Sequence, residues 1–110
     1  FRAVSERVGW PLPVPEAVIN DLGYDALSAG RIQEAVDLFK RNVSGNPNSA
    51  NAFDSLADGL AEAGRLGEAV QAAEKASALA SRYDLPNRDD FARHARKLKD
   101  RYTKESGTPK

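Results

Sequence analysis

The chain has 110 residues, 41% hydrophobic and 29% charged, a globular balance that argues against global disorder. Its 16 Lys and Arg are offset by 16 Asp and Glu, which leaves no general electrostatic footprint for nucleic acid or an anionic membrane. With no Cys and one His (His94), neither a disulfide framework nor a thiolate or His-rich metal site can be built, and no apolar run approaches the roughly 20 residues of a membrane span.

The chain opens on Phe1 and carries no basic-then-apolar leader, so a fragment of a longer protein is expected. Phe1, Val4 and Val8 suit two turns of helix ending at Gly9. Trp10-Pro11-Leu12-Pro13-Val14-Pro15 must be extended, because alternate prolines forbid helix and favour polyproline II. Residues 1–15 are therefore expected to be a linker with Trp10 and Leu12 lying on the first helix. The rival reading is a Pro-rich ligand for an aromatic groove.

An internal repeat follows. Ala29-Gly30-Arg31-Ile32-Gln33-Glu34-Ala35-Val36 recurs 34 residues later as Ala63-Gly64-Arg65-Leu66-Gly67-Glu68-Ala69-Val70, with six of the eight pairs identical. At the same offset Ile19 meets Phe53, Leu22 meets Leu56 and Gly23 meets Ala57. A 34-residue period is the length of a helix-turn-helix repeat.

Each repeat reads as two helices. Val18, Ile19, Leu22 and Ala26 form an amphipathic stripe, with Pro15 at the first helical position and Glu16 meeting the positive end of the dipole. Gly30 ends this helix in the left-handed conformation. Ile32, Ala35, Val36, Phe39 and Val43 give the second stripe, stopped by Gly45-Asn46-Pro47. Asn48 or Ser49 caps the third helix, striped by Phe53, Leu56, Ala57, Leu60 and Ala63. After Gly64 the fourth runs through Leu66, Ala69, Val70, Ala73 and Ala76, and on toward Arg82 because Ser81 stands where a proline would stop it. Gly23, Ala26, Ala35, Ala57 and Ala69 are small where antiparallel helices would cross, with Phe39 and Phe53 filling the space beside them. A fifth helix, capped by Asn87, carries Phe91, Ala95, Leu98 and Tyr102 on one apolar face.

In order and spacing, Leu22-Gly23, Ala26, Gly30, Ala35, Phe39 and Pro47, then Phe53, Leu56, Ala57, Leu60, Gly64, Ala69 and Ala76, resemble the tetratricopeptide repeat. The resemblance implies an all-α fold: two helical hairpins (16–49 and 50–83) in a right-handed α-solenoid, with a capping helix over 87–105; the tail over 106–110, Ser106-Gly107-Thr108-Pro109-Lys110, is expected to be disordered from its own residues. It departs from the family at Ala73, where a larger residue is usual, and at Ser81. The runs Leu22-Gly23-Tyr24, Glu34 to Val43 and Pro47 to Leu56 also resemble a repeat tail that follows the catalytic domain in some bacterial serine hydrolases, α/β-hydrolase esterases and β-lactamase-like enzymes. That likeness implies a soluble protein of the bacterial cytoplasm or periplasm, with any catalytic domain upstream of Phe1.

No catalytic motif is found in the 110 residues. The nearest approach to Gly-x-Ser-x-Gly is Leu27-Ser28-Ala29-Gly30, where Ala26 takes the first glycine's place. His94 reads as a surface or half-buried structural residue, and Asp54 with Asp58 as solvated charge on one helix face. No catalytic residue, metal site or cofactor is expected. In the resembled architecture the first helix of each repeat lines a concave groove, here Asn20, Asp21, Tyr24 and Leu27, then Asn51, Asp54, Ser55, Asp58 and Glu62. This set holds no Lys or Arg, so it suits a basic or amphipathic segment and not an acidic tail. Residues 1–86 hold 8 basic and 12 acidic groups, and residues 87–110 hold 8 and 4. The basic last helix is interrupted by Asp89, Asp90 and Asp100, which argues against nucleic acid and for an acidic protein surface such as a second copy's groove. The expected function is a protein-interaction or assembly module, holding a peptide, a sister subunit or its own catalytic domain.

Overall fold

The computed structural model describes residues 15–105; the expectations for residues 1–14 and for the 106–110 tail lie outside the described residues. Five α-helices follow one another: α1 (Glu16–Ser28), α2 (Ile32–Gly45), α3 (Ala50–Glu62), α4 (Leu66–Arg82) and α5 (Arg88–Glu105). No strand occurs among the described residues. Each helix packs against the next in the chain, and α1 also touches α3.

The helix ends follow local chemistry. Gly30 and Gly64 have φ of 81° and 80°, and Arg31 and Arg65 each donate back to the carbonyl five residues earlier, Ala26 and Leu60, at 2.9 Å. Both are Schellman ends, which a left-handed glycine allows without strain. The end of α4 repeats the geometry with Asp84 at φ 52° and Leu85 bonded to Ala80. Ser49 caps α3 by accepting from the Ala52 amide, and its hydroxyl donates to the Glu16 carboxylate of α1. Pro15 stands one position outside the place expected for it. It is the cap residue, with extended ψ of 144°, and its carbonyl accepts from Val18 and Ile19.

Among the described residues alanine supplies 11 of the 21 buried hydrophobic residues, which lets the helices approach closely. The largest fully buried side chain, Phe39 of α2, is seated between α1 and α3. A Cβ on Gly23 would stand 2.7 Å from its Cδ1, and one on Gly59 would stand 2.8 Å from its Cδ2. The edge of Tyr24 closes on the same ring, with centroids 5.0 Å apart.

The α1 stripe differs from its sequence reading. Ile19, Gly23 and Ala26 are buried, but Val18 and Leu22 are 46% and 49% exposed. Their repeat equivalents, Ala52 and Leu56, are buried. Among the described residues the second repeat has a helix before it and the first does not, so the same pattern is half covered in one and fully covered in the other. Tyr102, expected on the apolar face of α5, is 43% exposed, although its ring lies over Gly67.

Helix α5 carries its own imprint of α3. Phe91, Ala95 and Leu98 are buried at the spacing of Phe53, Ala57 and Leu60, each 38 residues on (91 from 53, 95 from 57, 98 from 60). Helix α4, at 17 residues against the 14 of α2, and a linker one residue longer account for the four extra residues.

Candidate ligand groove across α1, α3 and α5

Three of the nine sequence-designated groove residues come together around a tenth. Tyr24 of α1 donates its hydroxyl to Asp58 Oδ2 of α3 at 2.6 Å. His94 of α5 sits between the two acids of α3: its Nδ1 is 2.6 Å from Asp54 Oδ1 and its Nε2 is 3.2 Å from Asp58 Oδ1. Asp54 and Asp58 share a face because they lie one turn apart. The row Tyr24–Asp58–His94–Asp54 therefore ties three helices together. All four side chains are half-buried.

One sequence expectation changes here: the acids are not a solvated face, since His94 of this chain's own α5 bridges them. Only a protonated imidazole donates from both nitrogens at once, so both contacts are full hydrogen bonds in that state alone.

Burial pushes the Asp58 carboxyl above its ordinary value; Tyr24 and His94 pull against this, while Asp54 and Glu62 add to it. Burial, with the Asp58 bond and the nearby negative charge, raises the Tyr24 phenol, although Ser55 acts the other way. The phenol therefore stays a donor at physiological pH.

The remaining designated residues divide by position. Glu62 is exposed one turn beyond Asp58. Ser55 is buried beside the Tyr24 hydroxyl, and Leu27 packs partly on the core, so neither is an open contact point as the groove reading expected. Asn20, Asp21 and Asn51 line an open cleft of about 720 Å³ where the N-terminal ends of α1 and α3 meet the linker into α5.

An Asp–His pair of this kind orients an imidazole in many catalysts, but the second ring nitrogen here faces Asp58 and not a hydroxyl or thiol nucleophile. The two nitrogens point in different directions, each to its own carboxylate. Among the described residues no group of three or more His, Asp or Glu side chains is arranged to hold a metal ion. The arrangement is suited instead to accepting hydrogen bonds from cations. Asn42, in the triplet that matches a glycosylation acceptor, is fully buried and accepts from Asn46, so it presents no surface for modification. None of the described helices is long and apolar enough to cross a membrane.

Sequence reasoning read His94 as a surface or half-buried structural residue but missed its pairing with Asp54 and Asp58, because these lie 40 and 36 residues away and α5 falls out of the 34-residue period. The signal was present in the 38-residue echo of α3 by Phe91, Ala95 and Leu98, which sets α5 beside α3.

No family model matches this chain, and no curated protein matches it in sequence.

Proposed function

We propose that the chain is a protein-interaction module of the tetratricopeptide type. In this reading α1–α2 and α3–α4 are two hairpins of a right-handed α-solenoid, α5 is the capping helix, and the groove across α1, α3 and α5 takes a basic or amphipathic segment. The matching glycine ends at Gly30 and Gly64, the seat of Phe39 against Gly23 and Gly59, and the packing of each helix on its successor support the reading.

One observation carries the functional part: two half-buried carboxyl groups, Asp54 and Asp58, stand side by side in the groove with an imidazole laid between them. A carboxylate pair partly withdrawn from water binds a cation more strongly than the same pair on an open surface. A lysine or arginine from a partner competes with His94 for this place.

The test is a titration of a labelled decapeptide of alternating lysine and alanine, beside a glutamate twin. The lysine peptide binds and the glutamate twin does not, and the Asp54→Asn, Asp58→Asn double variant weakens binding at least tenfold. Equal binding by the variant, or preference for the glutamate twin, overturns the reading.

A second reading, with a domain of the same polypeptide as the partner, draws on Val18 and Leu22, which are exposed where their repeat equivalents are buried. It predicts that Leu22→Lys weakens association with that domain and leaves peptide binding unchanged.

A further inference from the structure

Helix α1 carries an apolar ridge on the flank turned away from Tyr24. Val18 and Leu22 stand one turn apart and are 46% and 49% exposed. Asp21 and Asp25, three residues on from each, are exposed too, and no cation pairs with either among the described residues. The ridge is therefore the acidic, apolar face of an amphipathic helix, and no described part of the chain covers it.

A surface of matching chemistry lies on the side of α2 and α4. There a cleft of about 250 Å³ is floored by Phe53, Leu56, Leu60 and Ala72. It is smaller than the roughly 300–1,000 Å³ of small-molecule sites, so it suits inserted side chains and not a free ligand. Lys40 of α2 and Lys75 of α4 stand at its rim. The Lys75 ammonium lies 6.0 Å from the centre of the Phe53 ring, and neither lysine has a carboxylate partner among the described residues. The acid in the lining, Glu68, is already held by Arg65 through contacts of 2.9 and 3.1 Å.

We propose that a second copy of this chain seats its α1 ridge in the cleft, Val18 and Leu22 on the apolar floor and Asp21 and Asp25 against Lys40 and Lys75. Apolar anchors at i and i+4 are what a helix presents to a groove, and carboxylates beside them answer the two lysines. The repeat supplies a second argument. Leu56 in the floor is the equivalent of Leu22, and it is buried with α2 before it in the chain, whereas Leu22 has no such helix among the described residues. The second copy's α2 and α4 would cover Leu22 as the chain's own α2 and α4 cover Leu56. The contact uses neither His94 nor the Asp54–Asp58 pair, so it is independent of the peptide-binding reading.

The experiment is sedimentation equilibrium of the full chain over a hundredfold range of concentration. The average mass of the wild type rises above that of one chain as concentration increases. Leu22→Lys weakens this self-association at least tenfold. So do the reversed ridge, Asp21→Lys with Asp25→Lys, and the reversed cleft, Lys40→Glu with Lys75→Glu, each measured alone. An equimolar mixture of the two reversed chains associates again, because each ridge now meets a cleft of opposite charge; this recovery excludes misfolding as the cause of the separate losses. A wild type that stays a single chain throughout leaves the ridge to a domain of the same polypeptide and overturns the inference. Self-association that appears only after residues 1–14 are removed gives the ridge to that segment and overturns it as well. Association untouched by either reversal, or a mixture no better than its parts, has the same consequence.

Discussion

Tyr24 and Asp58 occupy the same position in two copies of one repeat, 34 residues apart, and are hydrogen-bonded to each other at 2.6 Å. Identical places on successive helices face the same surface, so a donor in the first repeat meets an acceptor in the second. His94 extends the row onto α5 and links it back to Asp54. The surface that a ligand would meet is thus already organised by its own polar contacts, with an imidazole set between its two acids.

The raised Asp58 carboxyl gives the first prediction. Because burial lifts its folded value above the ordinary 3.8, the folded state holds this proton over a range where the unfolded chain has lost it. Its stabilising contribution is complete below the unfolded value and fades as pH rises through the folded value. The stability of the wild type minus that of Asp58→Asn should therefore fall as pH is raised from 4 toward neutrality. Urea denaturation at a series of pH values measures this, and a difference that grows with pH would mean that Tyr24 and His94 outweigh burial.

His94→Ala separates the binding role of the acids from the structural role of the ring. Losing the imidazole contacts costs about 1 kcal/mol of stability. The vacated carboxylates then bind the lysine–alanine peptide several-fold more tightly, because the imidazole no longer occupies the place between them. Weaker binding by this variant would show that His94 helps to hold the ligand.

The seat of Phe39 is tested by adding one methyl group. In most helices Gly→Ala gains about 1 kcal/mol of helix propensity. Gly23→Ala should instead destabilise by about 2 kcal/mol or more, because the new Cβ overlaps a ring that is fully buried and cannot withdraw. Adding Phe39→Leu should recover part of the loss from Gly23→Ala, as thermal denaturation of the two single variants and the pair will show.

The left-handed Asp84 is a local cost. A non-glycine residue in this conformation loses about 1 kcal/mol, and the exposed Arg88–Asp84 ion pair returns only a fraction of that. Asp84→Gly should raise stability by about 0.5 kcal/mol.

Much of this arrangement was legible in the sequence where a rule is local. Gly30 and Gly64 announced their bends, Pro47 its stop, Ser49 its cap, and Phe39 its place among small residues. Gly59 was not singled out, since nothing in its own helix reveals that a ring from α2 rests on it. Asp84 hid the third Schellman end because no glycine marks it. Val18 and Leu22 misled because their pattern suits a repeat with a predecessor, and α1 has no helix before it among the described residues. Within the groove the residue types were read correctly as acidic, but their state was not. A pairing such as His94 with Asp54 depends on how far α4 and the linker after it carry α5, a property of tertiary packing and not of either segment alone.

The most direct measurement is an amide chemical-shift titration of the isotopically labelled chain with the lysine–alanine decapeptide. The account predicts saturable shifts centred on Tyr24, Asn51, Asp54, Asp58 and His94, with Lys40 and Gln71 on the α2–α4 side unmoved. Shifts centred on α2 and α4, or none at concentrations where the peptide would fill the groove, would contradict it.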